Sequence, residues 1–221
     1  MEIQFKRCLC IHSTSQAVEI ILQHLLYSRA IIPQPVANLL KNESQNRVFC
    51  EKYGEIRNIL RMILRASNSQ RVLEFVILFG ASPNSAKEIY RIPLKFCDIH
   101  EATESCSNEN CGELSAREKR DVFTALIQST SPASLSPLSS TSKVFLFVRV
   151  TEKLPNQIEN LEHDDSFEMP DEAFCLKRKI YTEILWIKHR CSEDKEMNQS
   201  ISDSNEGIWL RFMFFLNKLP S

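Results

Sequence analysis

Glycine is scarce in this sequence. Only four of the 221 residues are glycine: Gly54, Gly80, Gly112 and Gly207. Average usage would be about 7%. No two of them lie close enough to form a loop that cradles phosphate groups, which excludes the P-loop and the dinucleotide-binding motif. The sequence also lacks the Gly-x-Ser-x-Gly turn of serine hydrolases and the His-Glu-x-x-His zinc helix. These absences argue against a nucleotide-dependent enzyme, and we find no catalytic motif in the sequence.

Long apolar runs and an excess of one charge are missing as well. No stretch approaches the roughly 20 apolar residues that a membrane helix needs. The first residues lack the apolar run and cleavage site of a signal peptide. A net charge of −1 provides no basic surface for nucleic acid. We therefore expect a cytosolic or nuclear protein that binds neither nucleic acid nor membranes.

Cysteine, by contrast, occurs eight times. In a chain of the cytosol or nucleus we expect reduced thiols. Cys97, His100, Cys106 and Cys111 have the residue types of a zinc site. Their spacing, Cys-x2-His-x5-Cys-x4-Cys, matches none of the common paired patterns. We therefore predict no metal and no cofactor, and keep a small zinc-bound regulatory domain as an alternative.

Three segments have the apolar period of amphipathic helices: about 15–29, 46–66 and 114–128. Ser13 and Gln16 form a capping-box pattern at the first of them. Pro35 can open a further short helical turn. In the second segment the apolar residues step by four and three, which predicts a buried central helix. The residues expected inside are Tyr53, Ile56, Leu60 and Ile63.

Five segments have the pattern of strands: 72–79, 86–92, 144–150, 177–188 and 208–216. The first is almost continuously apolar, which is typical of a strand buried on both faces. The order of elements predicts an α+β fold in which three helices pack on a mostly antiparallel sheet. We expect residues 1–221 to form a single domain, with flexible linkers at about 129–142, 157–172 and 191–207.

Several sequence features, read together, resemble those of a known family. An apolar helix ends in Tyr-x-Arg ahead of Pro-x-Pro, a buried strand closes on glycine, and a strand follows with Lys-Glu-x-Tyr. These features are residues 27–29, 33–35, 71–80 and 87–90. The pattern resembles the comet family, whose members are HORMA-fold adaptors that bind the spindle-checkpoint protein Mad-two. The resemblance covers about residues 20–126 and is looser from residue 144 onward. It implies a HORMA-like fold and a non-enzymatic function.

The resemblance also implies a partner-binding surface. In the family, the helix that corresponds to residues 114–128 presents an aromatic side chain to Mad-two, and Phe123 stands at that position. Spacing puts Val122 and Leu126 on one apolar edge and Phe123 a quarter-turn away. Spacing alone leaves open whether the core covers Phe123 as well. The residues implied to contact Mad-two are Phe123, Ile127, Arg120 and Ala116, with Tyr27, Ser28 and Arg29 as a second contact region.

A third family segment engages a hexameric AAA+ ATPase that remodels closed Mad-two. It corresponds here to Phe174, Leu176 and Lys177. The family pattern has proline where Leu176 stands and tryptophan where Ala173 stands, so the match depends mainly on Lys177.

The function implied is that of an adaptor that binds closed Mad-two and promotes disassembly of the mitotic checkpoint complex with the ATPase. It would thereby silence the spindle assembly checkpoint. The implied location is the nucleus and cytoplasm, and the kinetochore or spindle in mitosis. One alternative is another HORMA-type adaptor, of the meiotic or DNA-repair branch, that captures a peptide under a C-terminal belt. The zinc-bound domain is the other.

Overall fold

A computed structural model describes residues 1–64, 71–96, 112–129, 135, 137–154, 157–190 and 207–219. Within these ranges, five α-helices form: α1 (Ile11–Ser28), α2 (Val36–Lys41), α3 (Arg47–Ile63), α4 (Ala116–Ser129) and α5 (Glu172–Arg178). The strands of the same ranges are β1 (Glu2–Gln4), β2 (Val72–Gly80), β3 (Ala86–Pro93), β4 (Lys143–Val150), β5 (Leu161–His163), β6 (Tyr181–Ile184), β7 (Trp186–Lys188), β8 (Ile208–Phe212) and β9 (Leu216–Asn217). None of the described helices is long and apolar enough to span a membrane.

The main sheet is mixed but mostly antiparallel, in the order β5-β8-β4-β2-β3-β6, and β9 pairs with the first two residues of β4. The pairing of β6 with β3 is parallel, whereas the other pairs of this sheet are antiparallel. β1 and β7 form a separate parallel pair. The predicted α+β class and mostly antiparallel sheet are confirmed. Besides the three long predicted helices, the described residues contain α2, the short helix predicted after Pro35, and α5, which was not predicted.

One face of the sheet packs against the long helices. On this face lie Phe75, Ile77 and Phe79 of β2, which alternate along the strand and are at most 1% exposed. α3 turns its four-three stripe into the same core. Its predicted inward residues Tyr53, Ile56, Leu60 and Ile63 are 0–2% exposed, so the prediction of a buried central helix is confirmed.

The turn between β2 and β3 is tight at Gly80. A Cβ atom on this residue would lie 2.5 Å from the Ser85 carbonyl oxygen, so the position has no room for a side chain.

Truncation of Leu60 to alanine tests the position of α3. The side chain is 2% exposed and belongs to the main core, so its removal leaves a cavity. We expect the free energy of unfolding to fall by about 2–5 kcal/mol. Val48 lies on the same helix but is 68% exposed, so Val48→Ala serves as the control. Chemical denaturation of both variants measures the difference, and equal losses would contradict the assignment.

The other face of the sheet is covered by residues 157–190, here called the strap. The strap begins with β5, which pairs with the outer edge of β8. It then crosses the sheet, where Phe167 and Cys175 are buried in a second apolar cluster with Val76 and Phe147. It ends on the opposite edge as β6, paired with β3. As a result, β8 lies between β4 and β5, with the strap passing around it.

The strap differs from the sequence prediction in two ways. Residues 177–188 were predicted to form one strand, but the chain continues in α5 as far as Arg178. The helix forms because the Asp171 side chain caps its first turn, and it ends at Lys179, which has a left-handed backbone conformation. The predicted linker at about 157–172 contains β5 and the buried Phe167. Of the other two predicted linkers, residues 130–134, 136 and 191–206 lie outside the described residues.

The start of α1 also differs from the prediction. The helix begins at Ile11 rather than near residue 15, because Cys10 and Ser13 exchange hydrogen bonds across its first turn. The Gln16 side chain, predicted to complete the cap, instead accepts a hydrogen bond from the Leu114 N–H at 2.7 Å.

The cysteines are not all reduced, contrary to the sequence-based expectation. Cys8 is disulfide-bonded. Cys10, Cys50 and Cys175 are free and buried.

Candidate partner-binding site

The candidate surface is built on α4, which packs alongside α1 and against β1. Ser115 precedes the helix and exchanges hydrogen bonds with Glu118: the Ser115 N–H donates to Glu118 Oε2 at 2.8 Å, and the Glu118 N–H donates to Ser115 Oγ at 3.2 Å. This reciprocal pattern is a capping box, which fixes where the helix starts. Arg7 holds the same turn from the N-terminal segment, with its Nε 2.6 Å from Glu118 Oε1.

The two sides of α4 differ sharply in burial. Val122 and Leu126 are fully buried, as the spacing predicted. A second stripe, at intervals of four, three and four residues, follows the predicted partner positions Ala116, Arg120, Phe123 and Ile127. Its members Ala116, Arg120 and Ile127 are exposed, and Ile127 is 65% exposed. One edge of α4 therefore serves folding, and the other is open to solvent.

Phe123 has an intermediate position between these two edges. Its side chain is half-buried and packs against the main core, so the core covers part of the ring, a point that spacing alone leaves open. The ring cannot be counted as a free anchor in the isolated chain, because part of its surface already belongs to the fold. The strongly exposed apolar side chain of the helix is Ile127.

The second predicted contact region, at the end of α1, divides in the same way. Tyr27 is 50% exposed, and Ser28 is half-buried with its hydroxyl donating to the Leu25 carbonyl oxygen at 3.4 Å. Arg29 turns inward. Its side chain is 7% exposed and forms a bidentate pair with Glu88 of β3. The resemblance implies that Arg29 contacts the partner. In this structure, however, its guanidinium is buried in the ion pair with Glu88 and is not exposed to a partner.

The pair of Arg29 and Glu88 belongs to a small buried network. Tyr90 Oη donates to Glu88 Oε2 at 2.9 Å. Burial raises the pKa of the Tyr90 hydroxyl, and the neighbouring Glu88 carboxylate raises it further, so the hydroxyl stays protonated and remains a donor. The network joins the end of α1 to β3 and thereby sets where Tyr27 emerges at the surface.

The residues implied to engage an ATPase lie together on α5. Phe174 is 43% and Leu176 is 72% exposed, and Lys177 is also exposed. The guanidinium carbon of Arg178 lies 5.7 Å from the centre of the Phe174 ring. Lys177 and Arg178 lie in the last turn of this helix, where their positive charges interact favourably with the negative end of the helix dipole. α5 therefore presents apolar and basic side chains side by side on one short helix.

No metal site is found among the described residues, where no group of three or more histidine, cysteine or acidic side chains could hold an ion. The four positions considered for zinc, Cys97, His100, Cys106 and Cys111, lie outside those residues. Metal analysis of the purified protein is the measurement that tests the zinc alternative.

Two features of the site were not visible in the sequence. The inward turn of Arg29 depends on a carboxylate 59 residues away. The greater exposure of Ile127 than of Phe123 depends on how α4 is rotated against the core. The helical period does not fix this rotation to better than about a quarter-turn.

A search with models of protein families and a search of curated proteins both find no match to this chain.

Proposed function

We propose that this protein is a non-enzymatic adaptor that binds closed Mad-two through the exposed stripe of α4. In this proposal it promotes disassembly of the mitotic checkpoint complex together with an AAA+ ATPase, and so silences the spindle assembly checkpoint. The nucleus and cytoplasm, and the kinetochore or spindle in mitosis, are the locations that follow. The proposal rests on the resemblance of residues 20–126 to the comet family and on the surface properties of α4.

The observation that carries the proposal is the exposure of Ile127. A helix needs one apolar stripe to dock on its own core, and α4 uses Val122 and Leu126 for that purpose. Ile127 adds an apolar side chain on the open side, with the rim of the half-buried Phe123 ring one turn before it. Binding energy at protein interfaces concentrates in a few such anchors, surrounded by polar contacts such as those that Arg120 can make.

The alternative of peptide capture under a C-terminal belt is less well supported. A captured peptide would have to add a strand to an open sheet edge. The outer edge of β4 is already paired with β8, and β8 is covered in turn by β5. Phe167 of the strap lies edge-on to Trp209 of β8, with ring centres 5.1 Å apart. A peptide could take this place only after the chain's own strand had left it.

The ATPase part of the proposal is supported by α5. Phe174, Leu176 and Lys177 are all exposed, so a partner can reach them without any rearrangement. Their place on the strap, rather than on α4, would leave the Mad-two surface free while an ATPase is bound.

A charge at position 127 is the sharpest test of the α4 surface. Because the side chain is exposed, Ile127→Glu should leave folding intact and weaken binding to Mad-two locked in its closed form. We expect a loss of about thirtyfold or more in affinity, which corresponds to the roughly 2 kcal/mol that defines an interface anchor. Titration calorimetry measures the affinity, and a melting curve of the same variant measures stability.

Val48→Glu is the matched control for this experiment, because Val48 is an equally exposed apolar residue on another helix. It should bind closed Mad-two like the unmodified chain. Phe123→Ala should lose both affinity and some stability, since its ring is half-buried. Unchanged binding of Ile127→Glu would contradict the proposal.

A further inference from the structure

Two side chains from the N-terminal part of the chain hold the residues that lead into α4. These residues, 112–115, are here called the lead-in. Gln16 of α1 accepts the Leu114 N–H through its Oε1 at 2.7 Å. Arg7 donates from Nη2 to the Glu113 carbonyl oxygen at 3.3 Å. Two successive residues of the lead-in are therefore bonded through their backbone to side chains that lie 98 and 106 positions away in the sequence.

The bond between Leu114 and Gln16 lies at the edge of the core. Leu114 is 2% exposed and belongs to the main core, so water has little access to it. A buried N–H that loses its acceptor costs more free energy than the net strength of the bond, because water does not replace the lost partner. Since Gln16 stands on α1, this bond fixes the point along α1 at which α4 starts.

Arg7 extends the hold from the lead-in into the first turn of α4. Its Nε lies 2.6 Å from Glu118 Oε1, and the Glu118 carboxylate also accepts the Ser115 N–H. Burial raises the pKa of Glu118, but the hydrogen bonds from Arg7 and from Ser115 outweigh it and hold the pKa below its usual value. Glu118 is therefore ionised at neutral pH, and Arg7 ties the capping box of α4 to the lead-in.

The start of α4 decides which of its edges is open. Each residue turns a helix by 100°, so a shift of the first turn redirects every side chain that follows. In the observed orientation Ile127 is 65% exposed and Phe123 is half-buried. A rotation of less than a quarter-turn would change the exposure of both side chains.

We propose that Gln16 and Arg7 are positioning residues for the partner-binding edge of α4. They hold the lead-in, and through it they fix the rotation at which Ile127 faces solvent and Phe123 is half-covered. Neither residue belongs to the two contact regions that the resemblance implies. The inference rests on the proposed function, because it concerns the same edge of α4.

Gln16→Met tests the positioning, because methionine has a similar helix propensity but offers the Leu114 N–H only a weak acceptor. We expect the affinity for closed Mad-two, measured by titration calorimetry, to fall about tenfold, since about a tenth of the molecules would hold α4 in the observed orientation. Hydrogen exchange of the unbound chain, followed by mass spectrometry, should become about tenfold faster in residues 116–122 and stay unchanged in α3.

Two further variants check the cause of these changes. Gln16→Glu keeps an acceptor for the Leu114 N–H, so it should retain most of the affinity and the slow exchange of α4. Arg7→Met should change both quantities in the same direction as Gln16→Met but less strongly, because the Arg7 side chain is 21% exposed.

Gln23→Met is the matched control. Gln23 lies on the same helix and donates to Tyr53 Oη at 2.8 Å, so it joins α1 to α3 rather than to α4. This variant should lower the denaturation midpoint about as much as Gln16→Met, while its affinity and the exchange of α4 stay unchanged. A general loss of stability would affect both variants equally, whereas a loss of positioning affects Gln16→Met alone.

Unchanged affinity of Gln16→Met would overturn the proposal, and so would an equal loss of affinity in Gln23→Met. If the unmodified chain does not bind closed Mad-two, the proposed function fails instead, and the exchange measurement alone decides about positioning. Acceleration confined to α4 in Gln16→Met then supports the proposal, whereas equal acceleration in α3 and α4 overturns it.

Discussion

Replacement of Arg29 by methionine is expected to lower the free energy of unfolding by about 3–5 kcal/mol. The guanidinium is buried with Glu88, and its removal leaves that carboxylate in the interior with Tyr90 as its remaining described hydrogen-bond partner. Desolvation of an unpaired charge is the main cost, and methionine preserves most of the side-chain volume. Chemical denaturation followed by circular dichroism measures the loss.

Two further variants separate the ion pair from packing. In Arg29→Met with Glu88→Leu, neither charge is buried, so much of the stability should return. Arg47 also pairs with a glutamate, Glu51, but both side chains are exposed, so Arg47→Met should leave the denaturation midpoint essentially unchanged. If Arg29→Met were as stable as the unmodified chain but failed to bind closed Mad-two, Arg29 would be a partner contact after all.

The parts of the fold that could be predicted are those whose signal is local. The four-three stripe of α3 and the continuous apolar run of β2 each require burial, and neither depends on distant residues for its period. The boundaries of α3, β2 and β3 accordingly lie within a few residues of those predicted. The α+β class followed from their order along the chain.

The parts that could not be predicted depend on contacts between distant segments. In residues 177–188 the alternation of side chains correctly predicts the strands β6 and β7. The predicted strand also included residues 177 and 178, which belong to α5. The cap from Asp171 and the left-handed Lys179 decide the end of that helix, and neither alters the apolar period. β1 was missed because three residues are too short for a pattern, and its partner lies more than 180 positions away.

The candidate site shows the same division. The apolar edge of α4 at Val122 and Leu126 could be read from spacing, because the core must lie on that side. Which neighbouring residue remains exposed is decided by a rotation of the helix of less than a quarter-turn. That rotation is set by the packing of α4 against α1 and β1, so Phe123 became half-buried and Ile127 stayed in solvent.

Truncation of Phe147 to alanine should cost about 3–5 kcal/mol of unfolding free energy, as for other core phenylalanines. Phe147 is fully buried, on the sheet face opposite the helices. Its ring stacks on Phe167 of the strap with centres 3.9 Å apart, and Phe167 in turn meets Trp209 of β8. Such aromatic pairs add about 0.5–1.5 kcal/mol beyond the buried area. The cavity would therefore lie where strap, sheet and β8 meet.

Phe145 is the matched control, because it lies two residues earlier on the same strand and the same face. Its side chain is half-buried and its ring contacts Phe215 instead, with centres 5.7 Å apart. Phe145→Ala should therefore lose clearly less stability than Phe147→Ala in the same denaturation experiment. A loss for Phe147→Ala of no more than about 1 kcal/mol, below the range for core phenylalanines, would mean that the strap does not form a packed second core. The enclosure of β8 would then rest on backbone pairing alone.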